Sequence, residues 1–295
     1  MKISTEIASL SKHVGEGKAI ELFAKAGFDA YDLSMFRMAP YDHKERRIAQ
    51  GDHPLQVGNW RGFVKELRHI ADECGIVCNQ SHAPFPSRGE EIMPYLFRAI
   101  ECTAIAGGGI CVIHPDNNKS AEENAEMYLR LLPFAKECGV KIATENMWNW
   151  DRERDEALPA ACSHHEDFLR HIEAVNDPDF VACLDIGHAE MRGLDTSVGL
   201  MTRTLGRHIA ALHVHDNDGH RDSHQIPFSM DLGWTSIVKY LVGIDYRGDM
   251  TLECDRFLSD YTAENVAEGV AEMQRAADRL REMFLNFKAL RSKKA

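Results

Sequence analysis

Carboxylates and imidazoles stand at the ends of short apolar runs along this chain. His82 closes Cys78-Asn79-Gln80-Ser81, His114 closes Cys111-Val112-Ile113, and Glu145 closes Ile142-Ala143-Thr144. Asp185 and His188 follow Cys183-Leu184, His213 and His215 follow Ile209-Ala210-Ala211-Leu212, and Glu253 follows Met250-Thr251-Leu252. Two Glu, one Asp and a His make a hard, mixed oxygen and nitrogen donor set. It suits Mn²⁺, Zn²⁺, Co²⁺ or Mg²⁺ far better than Cu(I). Unpaired buried carboxylates are costly, so several that converge need a cation or shifted pKa values. Asp222-Ser223-His224 adds a carboxylate–imidazole pair able to hold a second ion or a substrate. Each residue alone has an ordinary alternative: His82 and His114 as hydrogen-bonded strand-end histidines, Asp185 as the cap of a turn, Glu253 as a partner of Arg256. Their recurrence from strand to strand is what points to a metal centre. Trp148 and Trp150 either join the core or wall a pocket over an apolar ligand face.

Such residues need a scaffold that delivers them to one place. β-rich runs are expected at 2–7, 30–33, 76–81, 110–113, 141–145, 181–185, 209–214 and 249–253. Amphipathic helical stretches lie between them, at 19–25, 60–73, 91–106, 121–138, 166–175, 195–205, 235–242 and 263–289. Gly27, Gly75, Gly107 and Gly139 stand where helices take left-handed C-caps, and Gly107-Gly108-Gly109 reads as a helix stop rather than an anion cradle. Ser163 is the expected N-cap before His164 and His165. Eight strand–helix units of about 37 residues predict an α/β fold, one (β/α)₈ TIM barrel spanning residues 1–295. The long non-helical stretches 38–59, 146–163 and 216–233 follow strand ends and would build the active-site face.

Composition narrows the function. The chain has 295 residues, 44% of them hydrophobic and 27% charged, which excludes global disorder. No apolar run approaches the roughly 18 residues that span a bilayer. Lys+Arg number 34 and Asp+Glu 46, a formal charge of −12, which argues against nucleic acid as a partner. The best basic segment, Lys44-Glu45-Arg46-Arg47, sits beside acids. The N-terminus lacks an apolar signal core, and the eight cysteines read as reduced core thiols, so a cytoplasmic protein is expected. Gly75 separates Cys74 from Cys78 and disfavours that pair as a metal or disulfide site. The basic tail 291–294 reads as a solvated end. Oligomeric state stays open, with a homo-oligomer among the expectations.

The motifs, in order, are His-Ala-Pro (82–84), Ile-His-Pro (113–115), Thr-Glu-Asn (144–146), Leu-Asp-Ile-Gly-His (184–188), His-Val-His-Asp-Asn-Asp (213–218), Asp-Ser-His (222–224) and Leu-Glu-Cys (252–254). Together they resemble the xylose isomerase-like TIM-barrel superfamily over nearly the whole chain. That superfamily includes sugar-phosphate isomerases and epimerases, ketose 3-epimerases, inosose dehydratases and isomerases, and endonuclease IV. The resemblance implies one divalent metal on Glu145, Asp185, a His of the seventh strand and Glu253. A His-x-x-Asp match favours His213. A match of 213–221 to ketose 3-epimerases favours His215 and places Arg221 on substrate. His213 is the preferred ligand, with His215 as its neighbour.

The expected activity is isomerisation or epimerisation of a sugar, sugar phosphate or inosose. A proton would pass between Glu145 and Glu253 through an enediolate. His82, His114, His188, His215, Arg221 and Trp148 would face the sugar or polyol. Endonuclease IV holds three zinc ions on nine ligands, and counterparts of all nine are present: His82, His114, Glu145, Asp185, His188, His213, Asp222, His224 and Glu253. A three-zinc phosphodiesterase at abasic DNA is therefore an alternative. A dehydratase of the same superfamily and a non-catalytic sugar-binding protein are others.

Overall fold

The computed structural model describes residues 1–293. Eight strands form the ring: β1 (Ile3–Thr5), β2 (Ala30–Ser34), β3 (Val77–His82), β4 (Ile110–Val112), β5 (Lys141–Glu145), β6 (Phe180–Asp185), β7 (Ile209–His213) and β8 (Met250–Leu252). β2 through β7 pair in chain order, all parallel. β8 pairs in parallel with β1, Ile3 lying opposite Met250. Single bridges Glu6–Asp32 and Val214–Leu252 join these two sets and close the barrel. Strands covered on both faces are buried along their length, as β6 is at all six residues. The fold class is thus the expected one.

Helices α1 (Ala8–Val14), α2 (Glu16–Ala26), α3 (Trp60–Cys74), α4 (Met93–Ala106), α5 (Ala121–Glu137), α6 (His165–Val175), α7 (Ile186–Ala189), α8 (Val198–Leu205), α9 (Trp234–Gly243) and α10 (Val266–Ser292) surround the ring. α3 ends at Gly75, whose φ of 70° is left-handed and favours glycine. α5 opens on a reciprocal cap: Ser120 Oγ accepts from the Glu123 amide at 3.3 Å and Glu123 Oε2 from the Ser120 amide at 2.9 Å.

Several local expectations are corrected. The stretch before β2 carries two helices, broken at Gly15 (φ 81°). α6 is capped by His164, whose Nδ1 accepts from the Glu166 amide at 3.4 Å. Ser163 instead donates its hydroxyl to the Ala160 carbonyl at 2.8 Å. α7 follows β6 directly, because Asp185 Oδ1 caps it at the His188 amide, 2.7 Å away. Two of the long loops hold short antiparallel hairpins, Tyr41–Asp42 with Arg47–Ile48 and Trp148–Asp151 with Glu156–Pro159. Asp side chains make both turns: Asp42 Oδ1 accepts from Lys44 and Glu45, and Asp151 Oδ1 from Glu153 and Arg154. Strands of two to four residues are too short for periodicity to register.

All eight cysteines are free, Cys74 exposed and Cys78 buried. Arg291 is part of α10 and donates to the Val242 carbonyl; Lys294 lies outside the described residues. Among the described residues, no helix is long and apolar enough to cross a membrane.

Candidate metal centre and its cavity

Parallel register brings the first group together. Glu145 ends β5 opposite Cys183, and two residues on, Asp185 ends β6 opposite His213, the last residue of β7. Glu253 follows β8 directly. One ligating atom from each of Glu145, Asp185, His213 and Glu253 lies within 4.8 Å of all the others. His213 Nδ1 stands 3.1 Å from Glu145 Oε1 and 3.5 Å from Glu253 Oε2. All four residues are buried. Both oxygens of Glu145, Asp185 Oδ2 and His213 Nδ1 lack any hydrogen-bond partner. Leaving so many buried acceptors unmet is costly, and a divalent cation among them meets the demand. The donor set and these orphaned atoms fit such an ion.

His82 and His114 flank this group. Their Nε2 atoms are 2.7 Å apart, His114 Nε2 is 3.2 Å from Glu145 Oε2, and His82 Nδ1 is 3.3 Å from Glu253 Oε1. Phe85 stacks on the His114 ring at 5.0 Å. A second group, His188, His215, Asp222 and His224, gathers beside the first, its ligating atoms also within 4.8 Å of one another. Asp222 Oδ2 lies 3.3 Å from His188 Nε2 and 2.9 Å from His224 Nε2. Asp185 links the two groups, its Oδ1 standing 3.1 Å from His215 Nε2.

The backbone around Asp185 is held by Asn146. Its side-chain oxygen accepts from the Asp185 amide at 2.8 Å, and its side-chain nitrogen donates to the Asp185 carbonyl at 2.9 Å. A Cβ on Gly187 would overlap the His215 ring. Gly187→Ala is therefore expected to push His215 off Asp185 and to cost about 1–3 kcal/mol. Thermal denaturation should show Tm lower by about 2–5 °C.

The charges sort by neighbour. Burial alone would raise the Glu145 carboxyl, yet His213 and His114 hold it well below the usual carboxylate range. Glu253 goes the other way: burial pushes it well up, His213 offsets only part, and Glu145 adds to the rise. Burial opposes the charged form of His213, but Cys183, Glu145 and Glu253 raise it well above an ordinary histidine. Burial, then His114 and His213, press His82 well down. Against burial, Asp222 lifts His224 up to about 10.

Without an ion, the upward shifts of His213 and Glu253 favour their protonated forms. A cation must displace those protons, so binding should release about one to two protons per ion and tighten as pH rises. Calorimetry in buffers of different ionisation enthalpy measures this release. Uptake with no protons released would contradict the assignment of these ligands.

A cavity of about 490 Å³ opens over both groups. Of the residues expected to face substrate, His82, His114, His188 and Trp148 line it, as do Glu145, Glu253, Asp222 and His224. Asp185, His213 and His215 are buried and stand outside that lining. His215 turns toward Asp185 and stacks on His224 at 4.0 Å. Arg221 is likewise absent from the wall. Asp218 Oδ1 accepts from the His220 and Arg221 amides, and Arg221 pairs with Asp155 while lying 4.4 Å over the Trp150 ring. Nothing in the local pattern of Phe36 or Phe85 singles them out, while Asn146 stands in the Thr-Glu-Asn motif, which assigns it no role. Asp32 was also missed, although an acid inside the strand Tyr31-Asp32-Leu33 was a visible signal.

A closed parallel ring with acids and imidazoles gathered past its strand ends defines the class: a TIM barrel carrying a candidate metal centre. The family model "Xylose isomerase-like TIM barrel" matches residues 20–283, and the chain belongs to that family. It is 34% identical to the uncharacterized protein y4fM of Sinorhizobium fredii, over 81% of this chain and 82% of that one. Its fold is similar to that of L-ribulose 3-epimerase, with a TM-score of 0.71 at 16% identity, covering 99% of this chain and 97% of the other. It is also similar to the IOLI protein crystallised with a zinc atom, with a TM-score of 0.71 at 17% identity, covering 95% and 99%.

Proposed function

We propose that this chain is a divalent-metal-dependent isomerase or epimerase of a small sugar or polyol. The observation that carries the reading is the set of orphaned buried atoms on Glu145, Asp185 and His213, grouped with Glu253, where Glu145 and Glu253 also line a sugar-sized cavity. An epimerase on the same fold and a zinc-bearing protein of the same fold support it. Glu145, Asp185, His213 and Glu253 would hold the ion. When bound, it would polarise a substrate carbonyl and offset negative charge developing on oxygen.

The rest of the work falls to this chain's own side chains. Glu145 and Glu253 come from β5 and β8 and flank the substrate. One removes a proton from the carbon beside the carbonyl, leaving an enediolate, and the other returns a proton to the opposite face. His188 Nδ1 donates to the Asn146 carbonyl at 2.8 Å, which leaves Nε2 facing Asp222 and the cavity, placed for a substrate hydroxyl. Trp148, with Phe36 and Phe85, offers apolar surface to the C–H face of a sugar. The free thiols suit a reducing compartment such as the cytoplasm.

The test is a panel of ketoses and inososes incubated with the Mn²⁺-loaded protein in D₂O. Deuterium should enter one substrate at the carbon beside the carbonyl. No exchange in any member would overturn the reading.

The second group of ligands favours one other reading, a three-metal phosphodiesterase at abasic sites. Its orphaned atoms, His215 Nδ1 and Asp222 Oδ1, resemble those of the first group. Three ions per chain by native mass spectrometry, with nicking of an abasic duplex, would establish it; one ion and no nicking would remove it.

A further inference from the structure

A further buried carboxylate stands against the His213 ring. Asp32, on β2, is wholly inaccessible to solvent. Its neighbour in register on β3 is Gln80, and Gln80 Nε2 donates to Asp32 Oδ2 at 3.0 Å. From the other side, the Ser34 hydroxyl stands 3.5 Å from Oδ1. Neither contact neutralises a charge. Among the described residues, the one cationic or ring-nitrogen group within 4 Å of this carboxylate is His213, whose Nε2 lies 3.7 Å from Oδ2. That gap is about half an ångström beyond a good N–H···O bond. The opposite ring nitrogen, Nδ1, is the orphaned one that faces Glu145 and Glu253.

We propose that Asp32 is a positioning residue: its carboxylate, pinned by Gln80, takes the Nε2–H of His213 and so turns Nδ1, as a lone pair, toward Glu145, Asp185 and Glu253. An imidazole offers a lone pair at only one nitrogen when neutral, and a partner on the other nitrogen decides which. A carboxylate in that place fixes both the tautomer and the ring plane, and it makes the free nitrogen a stronger donor. The strand-pairing role of Asp32 is carried by its backbone alone. Its carbonyl accepts from the Ile7 amide at 3.1 Å, so a side-chain change leaves the closure of the barrel in place.

The inference rests on the metal reading of the site but not on any sugar chemistry. Its test is Co²⁺ titration of the metal-stripped, full-length protein, followed by visible absorption. Asp32→Ala should weaken Co²⁺ binding by about 10–100-fold and alter the ligand-field bands. Asp32→Asn should fall between, and Asp32→Glu should recover part of the loss. Histidine ¹⁵N shifts supply a readout that a packing role would not move: in wild type, Nε2 of His213 should carry the proton when Co²⁺ is replaced by Zn²⁺. Wild-type affinity and spectra in both Asp32→Ala and Asp32→Asn would overturn this inference and leave the proposed function standing. Failure of the wild-type protein to take up Co²⁺ or Zn²⁺ would overturn both.

Discussion

Replacing Glu145 or Glu253 by glutamine should end hydrogen exchange between substrate and solvent, lowering turnover by about 10²–10⁴-fold for each. The amide keeps the volume and one oxygen acceptor but can neither take nor return the proton. The two losses should differ in kind. Glu145 faces both His114 and His213, so its neutral variant also removes the anion that offsets those imidazoles, and ion affinity should fall with turnover. Glu253 reaches the same histidine at 3.5 Å and is more open to the cavity, so its variant should keep more of the ion. Deuterium incorporation measured by NMR, set against metal content of the same samples, separates the two effects. Full exchange in either variant while metal stays bound would end the two-glutamate scheme.

Stripping the ion should also destabilise the fold itself. Three carboxylates crowd one volume with His213 within 4.8 Å of one another. A ligand that binds the folded chain alone adds about 2.7 kcal/mol when present at 100 times its dissociation constant. For a chain of this size, that is a fall in Tm of about 4–5 °C after chelation. Re-addition of Mn²⁺ or Co²⁺ should restore it, while Ca²⁺, which prefers more oxygen ligands at longer range, should do so poorly. A Tm indifferent to chelation and to every ion would leave the clustered acids without their expected partner.

Much of this was legible in the amino-acid order. The ring follows from eight apolar runs spaced by capped helices, and an acid or imidazole just past a strand end announces where the chain emerges at the mouth. Strand-end position marked Glu145, Asp185, His213 and Glu253 among several acids and imidazoles, and the family resemblance implied these four as the ligand set. Contacts made across loops were harder to read. The aim of Arg221 depends on a turn that Asp218 builds and on a hairpin tip more than sixty residues away, neither of which has a periodic signature. His213 and His215 share a face in an ideal strand, but β7 ends at His213, and the chain beyond it carries His215 to Asp185 instead. Asp32 lies inside its strand rather than at the strand end, so the strand-end pattern does not mark it, although a carboxylate inside a buried run needs a partner.

Asp185 serves two masters. One of its oxygens faces His215 and caps the helix that presents His188, while the other has no hydrogen-bond partner, and the residue also belongs to the group with Glu145 and His213. A positive charge arriving on one side draws electron density from the carboxylate that the opposite side also relies on. The two pockets of ligands therefore share a single electrostatic account, and thermodynamic reciprocity requires that whatever a ligand in one does to affinity in the other is returned in equal measure.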